Sequence, residues 1–380
     1  MAQPSKIKAM VIKAKGQATV TTVPLPHLRD DYILVKTTAI ALNPTDWKNI
    51  DFASGGNPTG ARVGCDYAGI VQEVGSRVTK SFARGDRICG VVHGSRTMLV
   101  ILGFRKQEPD VVNETSRNLT QKEDGAFAEY IVVKGDVQLR IPNDMSDAEA
   151  ATLGVGITTV GQGLYQSLKL PLPGEAPKGD PTPFLIYGGS TATGALGIQF
   201  AKLSNCQVVT TCSAKNFSYV ASLGADAYFD YHGGDAAEQI RTYTGGCLQH
   251  AWDCISTAQS ARVCAAALAD DCPVKYRALL EVSNSVLQSV NPGVDNGFTS
   301  SYTVFGEGFE KAVWVEGRPK DFEFAKMFFN MCEGLLEQGL IKPVRPTVNL
   351  GGKGLVGAIK GLKHLKEGRV SATKLVYTML

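Results

Sequence analysis

The segment Gly189-Ser-Thr-Ala-Thr-Gly194 follows the apolar run Phe184-Leu-Ile-Tyr187 and precedes Ala195-Leu-Gly-Ile-Gln-Phe-Ala-Lys202. That order reads as strand, tight turn and amphipathic helix, the phosphate-cradling start of a dinucleotide-binding unit. The first and last glycines of a G-x-G-x-x-G fingerprint are present, and Thr191 replaces the middle one. The hydroxyls of Ser190, Thr191 and Thr193 add donors for phosphate oxygens to the backbone amides around Ala192 at the helix start. The next apolar run ends in Cys212-Ser-Ala-Lys-Asn-Phe217 with no carboxylate to bind a ribose 2′-hydroxyl. Ser213, Ala214, Lys215 and Asn216 suit a 2′-phosphate instead, with Lys215 as its charge partner. NADPH is therefore the expected cofactor. Tyr231, after the third strand, is placed to lie beside its adenosine end.

These groups need elements to hold them. Residues 7–150 read as β-rich: Ile7 to Lys13, Tyr32 to Ala41 and Ala68 to Val74 are apolar or alternating runs bounded by Pro, Gly and Asp. Residues 85–90 and 125–133 continue that style, and Asp147 to Gly163 reads as helical. A Pro/Gly-rich linker covers 171–183. From Phe184 strands at 184–187, 207–211, 226–230, 249–254, 276–282 and 302–305 alternate with helices, which implies a doubly wound parallel sheet. Helices at 321–338 and 357–367 and a strand at 375–377 follow. The fold class expected is α/β: residues 1–154 and 340–380 form a β-rich domain and 155–339 a dinucleotide domain.

Bulk properties agree with an enzyme of two domains. The chain has 380 residues, 44% hydrophobic and 20% charged, with a net charge of +3. That charge gives no footprint for a nucleic-acid partner. No apolar run approaches the roughly 18 residues of a membrane span, and the N-terminus lacks a hydrophobic signal core. A cytoplasmic protein is expected. The nine cysteines are scattered with no C-x-x-C pair and read as free thiols.

Together with Ala41-Leu-Asn-Pro-Thr-Asp46, Gly64-Cys-Asp-Tyr-Ala-Gly69, Phe82-Ala-Arg-Gly-Asp-Arg87 and Gly125-Ala-Phe-Ala-Glu-Tyr130, the turn makes the chain resemble the medium-chain dehydrogenase/reductase superfamily nearly end to end. Within it, Asn43-Pro-Thr-Asp-Trp-Lys48, Thr211-Cys-Ser-Ala-Lys-Asn-Phe217, Phe229-Asp-Tyr231 and Phe305-Gly-Glu-Gly308 are similar to the fungal trans-acting enoyl reductases of polyketide synthases, the lovastatin type. The resemblance implies a GroES-like catalytic domain, a Rossmann domain and a cleft between them. It also implies a monomer whose acyl thioester substrate is held on the acyl carrier protein of a polyketide synthase or hybrid synthase-peptide synthetase.

Zinc members of the superfamily place ligands where this chain has Asn43 and Gly64-Cys65-Asp66. Asn is a poor zinc ligand, and Cys65 alone builds no three-ligand site, so no metal is expected. Reduction of a conjugated C=C suits such a site, because the substrate carbonyl delocalises the developing charge. The expected reaction moves hydride from NADPH to the β-carbon, and the enolate is protonated at the α-carbon. Quinone-reductase relatives have a tyrosine where this chain has Lys48. Its ammonium could stabilise the enolate oxygen, donate a proton or hold cofactor and substrate; the competing reading is a solvated helix lysine.

The resemblance further sets Thr45, Asp46, Trp47 and Lys48 against the cofactor, with Leu279, Leu280, Val370 and Ser371 flanking the nicotinamide. It lines the substrate side with Thr152, Leu153, Gly154, Val155, Gly156, Ile157, Thr158 and Thr159, and with Tyr302, Thr303, Val304, Phe305 and Gly306. The glycines of the first group fit a close backbone approach to a ligand, or equally a tightly packed joining helix. Gly94 to Asn118 is longer than the family's connection and reads as a lid, a docking loop or a retained intron. The alternatives to an enoyl reductase are a quinone or alkenal reductase acting on free small molecules, and a non-catalytic cofactor-binding scaffold.

Overall fold

A computed structural model describes residues 3–52, 58–95, 122–311 and 313–379. The long connection expected at 94–118 lies almost wholly outside the described residues.

Six parallel strands form one sheet, in the spatial order Ala227–Phe229, Cys206–Thr211, Thr182–Tyr187, His250–Asp253, Val274–Ala278 and Val294–Phe298. Numbered along the chain this is 3-2-1-4-5-6, the Rossmann order. The order reverses beside Thr182–Tyr187, and sheets of this kind take their ligands outside the strand ends at such a switch point. The central strand carries the continuous apolar run Phe184-Leu-Ile-Tyr187, buried on both faces as a strand covered by helices on both sides requires. Phe184, Ile186, Val208 and Trp252 pack on one side, Leu185, Tyr187, Val209 and Tyr276 on the other.

The second sheet has seven strands and is mostly antiparallel. Tyr32–Ala41 is its hub, pairing with Asp66–Val74, Tyr130–Lys134 and Lys374–Thr378. The C-terminal strand Lys374–Thr378 and its parallel neighbour Pro346–Val348 thus join the sheet built from the first part of the chain. Register shifts interrupt the pairing of Tyr32–Ala41 with Asp66–Val74 at Leu34/Val35 and Thr37/Ala39, irregularities of the kind that bend and twist a strand.

Two expectations change. Residues 302–305 were expected as a strand but form a 3-10 helix, Ser301–Phe305, which ends at Gly306 with φ 71°. The sixth strand is Val294–Phe298 instead. Tyr-Thr-Val-Phe has strand-like composition, but burial of the segment in the core overrides that propensity. Val294-Asp-Asn-Gly-Phe298 looks like a turn, yet an edge strand has one partner to satisfy and tolerates polar residues. The helix expected over 147–163 is broken into Asp147–Ala150, Gly154–Val160 and a π-helical stretch at Gly161–Ser167. No helix among the described residues is long and apolar enough to cross a membrane.

Candidate active site

The strand Thr182–Tyr187 enters the turn through Gly188, whose φ of 85° favours glycine. The Gly188 amide donates to Thr211 Oγ1 at 3.1 Å and the Gly189 amide to the Thr211 carbonyl at 3.0 Å, tying the turn to the second strand. A Cβ on Gly194 would lie 2.4 Å from the Gly188 carbonyl oxygen, so the last glycine lets the helix start close to the strand. Thr191 needs no glycine, since its φ of −69° and ψ of 160° suit any residue. Its Oγ1 accepts from the Gly194 amide at 3.0 Å and caps the helix Ala192–Leu203. One Thr191 lone pair is therefore committed to the cap, while the Ala192 and Thr193 amides remain the N-terminal donors of the helix.

The side chains expected around the phosphates form two groups. Asn216 Nδ2 donates to Ser190 Oγ at 3.3 Å and to Ser371 Oγ at 3.1 Å. Ser371 thus sits against the turn and the end of the second strand. Ser213 Oγ and the Tyr231 hydroxyl are 3.2 Å apart. Lys215 is exposed, and no carboxylate pairs with it among the described residues. Sequence reasoning missed Asp230, which comes from the neighbouring strand end and accepts from the Ala214 amide at 3.3 Å. The signal was present in Phe229-Asp-Tyr231, but only strand adjacency brings it to this loop. Leu279 and Leu280 follow the strand Val274–Ala278, and both amides donate to Ser256 Oγ, at 2.9 and 3.2 Å.

The helix Pro44–Phe52 carries the other group. Asn43 precedes it, and Asp46 Oδ2 reaches back to accept from the Asn43 amide at 2.7 Å, half of a capping box. The Asn43 side chain turns instead to Asp66 Oδ2, 2.8 Å away. Asp66 Oδ1 accepts from the Val155 amide at 2.6 Å, and the buried Lys374 ammonium pairs with the same carboxylate. Lys374 also donates to the Thr152 carbonyl at 3.3 Å. Asp66 therefore joins the start of the motif helix, the start of Gly154–Val160 and the C-terminal strand. Asp46 is fully buried beside the Cys65 thiol, and burial pushes its carboxyl up to about 7. Burial likewise pushes the Cys65 thiol well up.

Thr45, Lys48 and Asn49 fall at i, i+3 and i+4 and share one helix face. Thr45 Oγ1 is 2.6 Å from the Tyr302 hydroxyl, which also meets Asn49. The His93 ring stacks on Tyr302 with centroids 4.2 Å apart. Lys48 is half-buried, with its ammonium 5.8 Å from the centre of the Trp47 ring, and burial lowers its pKa. Beyond Gly306, Glu307 accepts from the Tyr32 hydroxyl at 2.9 Å and from Lys134 at 2.7 Å. These bonds lock the segment that bears Tyr302 to the mostly antiparallel second sheet, a long-range link with no local signal in the sequence.

Other expected site residues make contacts within the protein. Thr303 Oγ1 donates to Asp321 at 2.5 Å and accepts from Gln162 at 2.8 Å, while Val304 and Phe305 are core. Thr152 Oγ1 donates to the Glu149 carbonyl at 2.6 Å and accepts from the Val344 amide at 3.1 Å. Leu153 and Ile157 are core. Thr158 and Thr159 bond back to the carbonyls of Gly154 and Val155. A Cβ on Gly154 would lie 2.1 Å from the Gly90 carbonyl oxygen, and one on Gly156 would lie 2.4 Å from Leu196 Cδ1. Protein neighbours account for both glycines. Val370 packs at the margin of the core around the motif helix.

The donors that stand where zinc relatives have ligands are Asn43, Cys65 and Asp66. The carboxylate is already satisfied by an amide side chain, a backbone amide and an ammonium. An ammonium at that carboxylate repels a divalent cation, and the Cys65 thiol resists ionisation. The set does not fit a catalytic zinc. Among the described residues no group of three or more His, Cys, Asp or Glu side chains could hold a metal ion.

Comparison with known proteins agrees with this architecture. Residues 29–143 match the alcohol dehydrogenase GroES-like domain, and 192–282 match the zinc-binding dehydrogenase family. The trans-enoyl reductase resD of Aspergillus sclerotiorum is 42% identical over 387 residues, covering 98% of this chain and 99% of that protein. The trans-enoyl reductase TOXD of Cochliobolus carbonum is 49% identical over 303 residues, 80% of this chain and 91% of that protein. In fold, the chain is similar to the CurK enoyl reductase, with a TM-score of 0.68 at 15% identity, covering 99% of this chain and 100% of that one. A nicotinamide cofactor is the common currency of this fold and its turn. The chain belongs to the fungal trans-enoyl reductases, oxidoreductases built from a GroES-like domain and a Rossmann domain.

Proposed function

We propose that the protein reduces the conjugated C=C of an α,β-unsaturated polyketide thioester, using NADPH and taking its substrate from the acyl carrier protein of a partner synthase. The observation that carries this reading is the helix face of Thr45, Lys48 and Asn49 meeting the Tyr302 hydroxyl. The contact puts two hydroxyls on the helix face that also carries the Lys48 ammonium. Bound NADPH supplies the hydride. The protein's part is to position the acyl group, exclude water and stabilise the negative charge that develops on the thioester oxygen. Lys48 provides a positive charge for that oxygen, and Thr45 with Tyr302 a hydrogen-bonded pair of hydroxyls.

Ser190, Thr193 and the Ala192 amide are assigned to the diphosphate, with Ser371 and Asn216 bracing them. Lys215, Ser213 and Tyr231 are assigned to the 2′-phosphate and adenosine, which favours NADPH over NADH. Residues 1–154 and 340–380 serve as the catalytic domain and 155–339 as the cofactor domain, in a zinc-independent, cytoplasmic monomer.

The test is NADPH oxidation with an enoyl pantetheine thioester and, separately, with a quinone. Thioester turnover with loss of the conjugated double bond supports the reading. Quinone turnover without thioester turnover would replace it with a free-substrate reductase.

A further inference from the structure

The C-terminal helix Gly354–Lys366 and its flanks hold the protein's excess positive charge. Residues 353–369 contain five lysines and arginines against one glutamate, while the whole chain carries only +3. The rest of the protein is therefore slightly acidic.

The helix has two faces with different fates. Leu355, Ala358 and Leu362 are buried in the core around the motif helix. Lys353, Val356, Lys360 and Lys363 follow one another at spacings of three and four and form an exposed stripe. Val356 is 62% exposed in the middle of it. The Lys363 side chain is 74% exposed, with its nearest carboxylate, Glu367, at 4.0 Å. No carboxylate pairs with Lys353 or Lys360 among the described residues.

The stripe is tied to both halves of the candidate site. Lys366 pairs with Asp51 at 2.6 Å, which fixes the helix to the end of Pro44–Phe52, the element that bears Thr45 and Lys48. Phe52, the next residue, is 60% exposed. The loop that leaves the helix leads directly to Ser371, against Asn216.

We propose that this stripe is the docking surface for the acidic recognition helix of the partner's acyl carrier domain, a proposal that rests on the carrier-borne substrate proposed above. Lys353 and Lys360, which pair with no carboxylate among the described residues, and the exposed Lys363 attract an acidic helix over roughly a Debye length and orient it. Val356 offers an apolar contact at the centre of the charged ring. Docking here sets the carrier beside the helix that bears Lys48. A lipid surface fits less well, because the apolar face that would enter the headgroups is spent in the core. A nucleic acid fits less well too, because the slightly acidic remainder does not extend the basic surface.

The experiment compares one enoyl group presented on a holo acyl carrier protein and on free pantetheine, for the wild-type protein and for K353E/K360E/K363E. The expected result is a fall of about tenfold or more in kcat/KM for the carrier-bound substrate, with the free thioester changed less than about twofold. The wild-type carrier rate should also fall with added salt, and the variant should lose that dependence. Equal carrier rates for variant and wild type would overturn the proposal. If the triple variant loses both substrates, the neutral pair K360Q/K363Q decides: selective slowing of the carrier substrate supports docking, and loss of both overturns it. Titration with the holo carrier keeps the two readings separate. A wild-type protein that binds the carrier through this stripe but turns over neither thioester would leave docking standing and sink the proposed reaction. Absence of carrier binding, or stripe-dependent capture of anionic phosphatidylserine vesicles in its place, would overturn docking.

Discussion

The Tyr302 hydroxyl and Thr45 Oγ1 lie 2.6 Å apart although 257 residues separate them in the chain. One comes from a 3-10 turn that follows the parallel sheet, the other from the motif helix of the antiparallel sheet. Tyr302→Phe removes the phenolic group and keeps the stack on His93. If the pair serves the reaction, kcat for thioester reduction falls by about 10- to 100-fold. Stability should fall by only about 1–2 kcal/mol, the scale of one buried hydrogen bond. Thr45→Val should give a similar loss, and the double variant little more, because both changes break one unit. A double-mutant cycle on kcat and on urea unfolding reads both.

Lys48 is the charge-bearing group of that face. Lys48→Ala should lower thioester turnover by about 100-fold, and an unchanged rate would remove Lys48 from the mechanism. Burial lowers its pKa, so the ammonium is lost at a lower pH than an exposed lysine would lose it. The kcat of the wild-type protein should therefore drop on the alkaline side. Lys48→Arg keeps its charge and should extend the active range upward, even at reduced rate. A pH–rate profile of both proteins checks this.

For the cofactor, Lys215 is the exposed cation at the expected 2′-phosphate position. Lys215→Ala should raise KM for NADPH about tenfold or more and leave NADH use nearly unchanged, since only NADPH has the extra phosphate. Ser213→Ala should act in the same direction and more weakly. Equal effects on the two cofactors would place Lys215 outside the phosphate site.

The turn, the Rossmann rhythm and the motif helix were readable because each is local: glycines, apolar runs and caps lie within a few residues of one another. Tyr32–Ala41 was read with its observed ends for the same reason. What escaped depends on distant neighbours. Asp230 reaches Ala214 only because two parallel strands are adjacent. Lys374 is an ordinary lysine until the C-terminal strand brings it to Asp66. Residues 302–305 have strand composition, and only their packing makes them helical.

Asp46 gives a stability signature. Its folded pKa of about 7 stands above the ordinary 3.8 because burial disfavours the carboxylate. Below pH 3.8 both folded and unfolded chains hold the proton, and the group costs nothing. As pH rises from there to about 7, the unfolded chain releases a proton that the folded chain keeps, so stability falls, then levels off. A difference of about three pH units corresponds to about 4 kcal/mol. Asp46→Asn can still accept from the Asn43 amide through its carbonyl oxygen and does not titrate. The variant should gain on the wild type steadily across that window. Urea unfolding of both proteins from pH 4.5 to 8 measures the gap, and a gap independent of pH would contradict the assignment.

Gly154 and Gly156 separate packing from ligand approach. An added Cβ at Gly154 meets backbone, the Gly90 carbonyl oxygen at 2.1 Å, and then Asp66 Oδ1 at 2.7 Å. Neither can retreat without disturbing a strand or the Asp66 cluster, so Gly154→Ala should cost about 1–3 kcal/mol. An added Cβ at Gly156 meets Leu196 Cδ1 at 2.4 Å, the end of a side chain that can change rotamer. Alanine also gains up to about 1 kcal/mol over glycine inside a helix, which offsets part of that clash. Gly156→Ala should therefore be the milder change in stability. Because Leu196 lies on the helix that opens at the phosphate turn, its displacement should appear in KM for the cofactor before it appears in KM for the thioester. The reverse order, with thioester KM moving first, would mean that the bare backbone at Gly156 is kept for substrate.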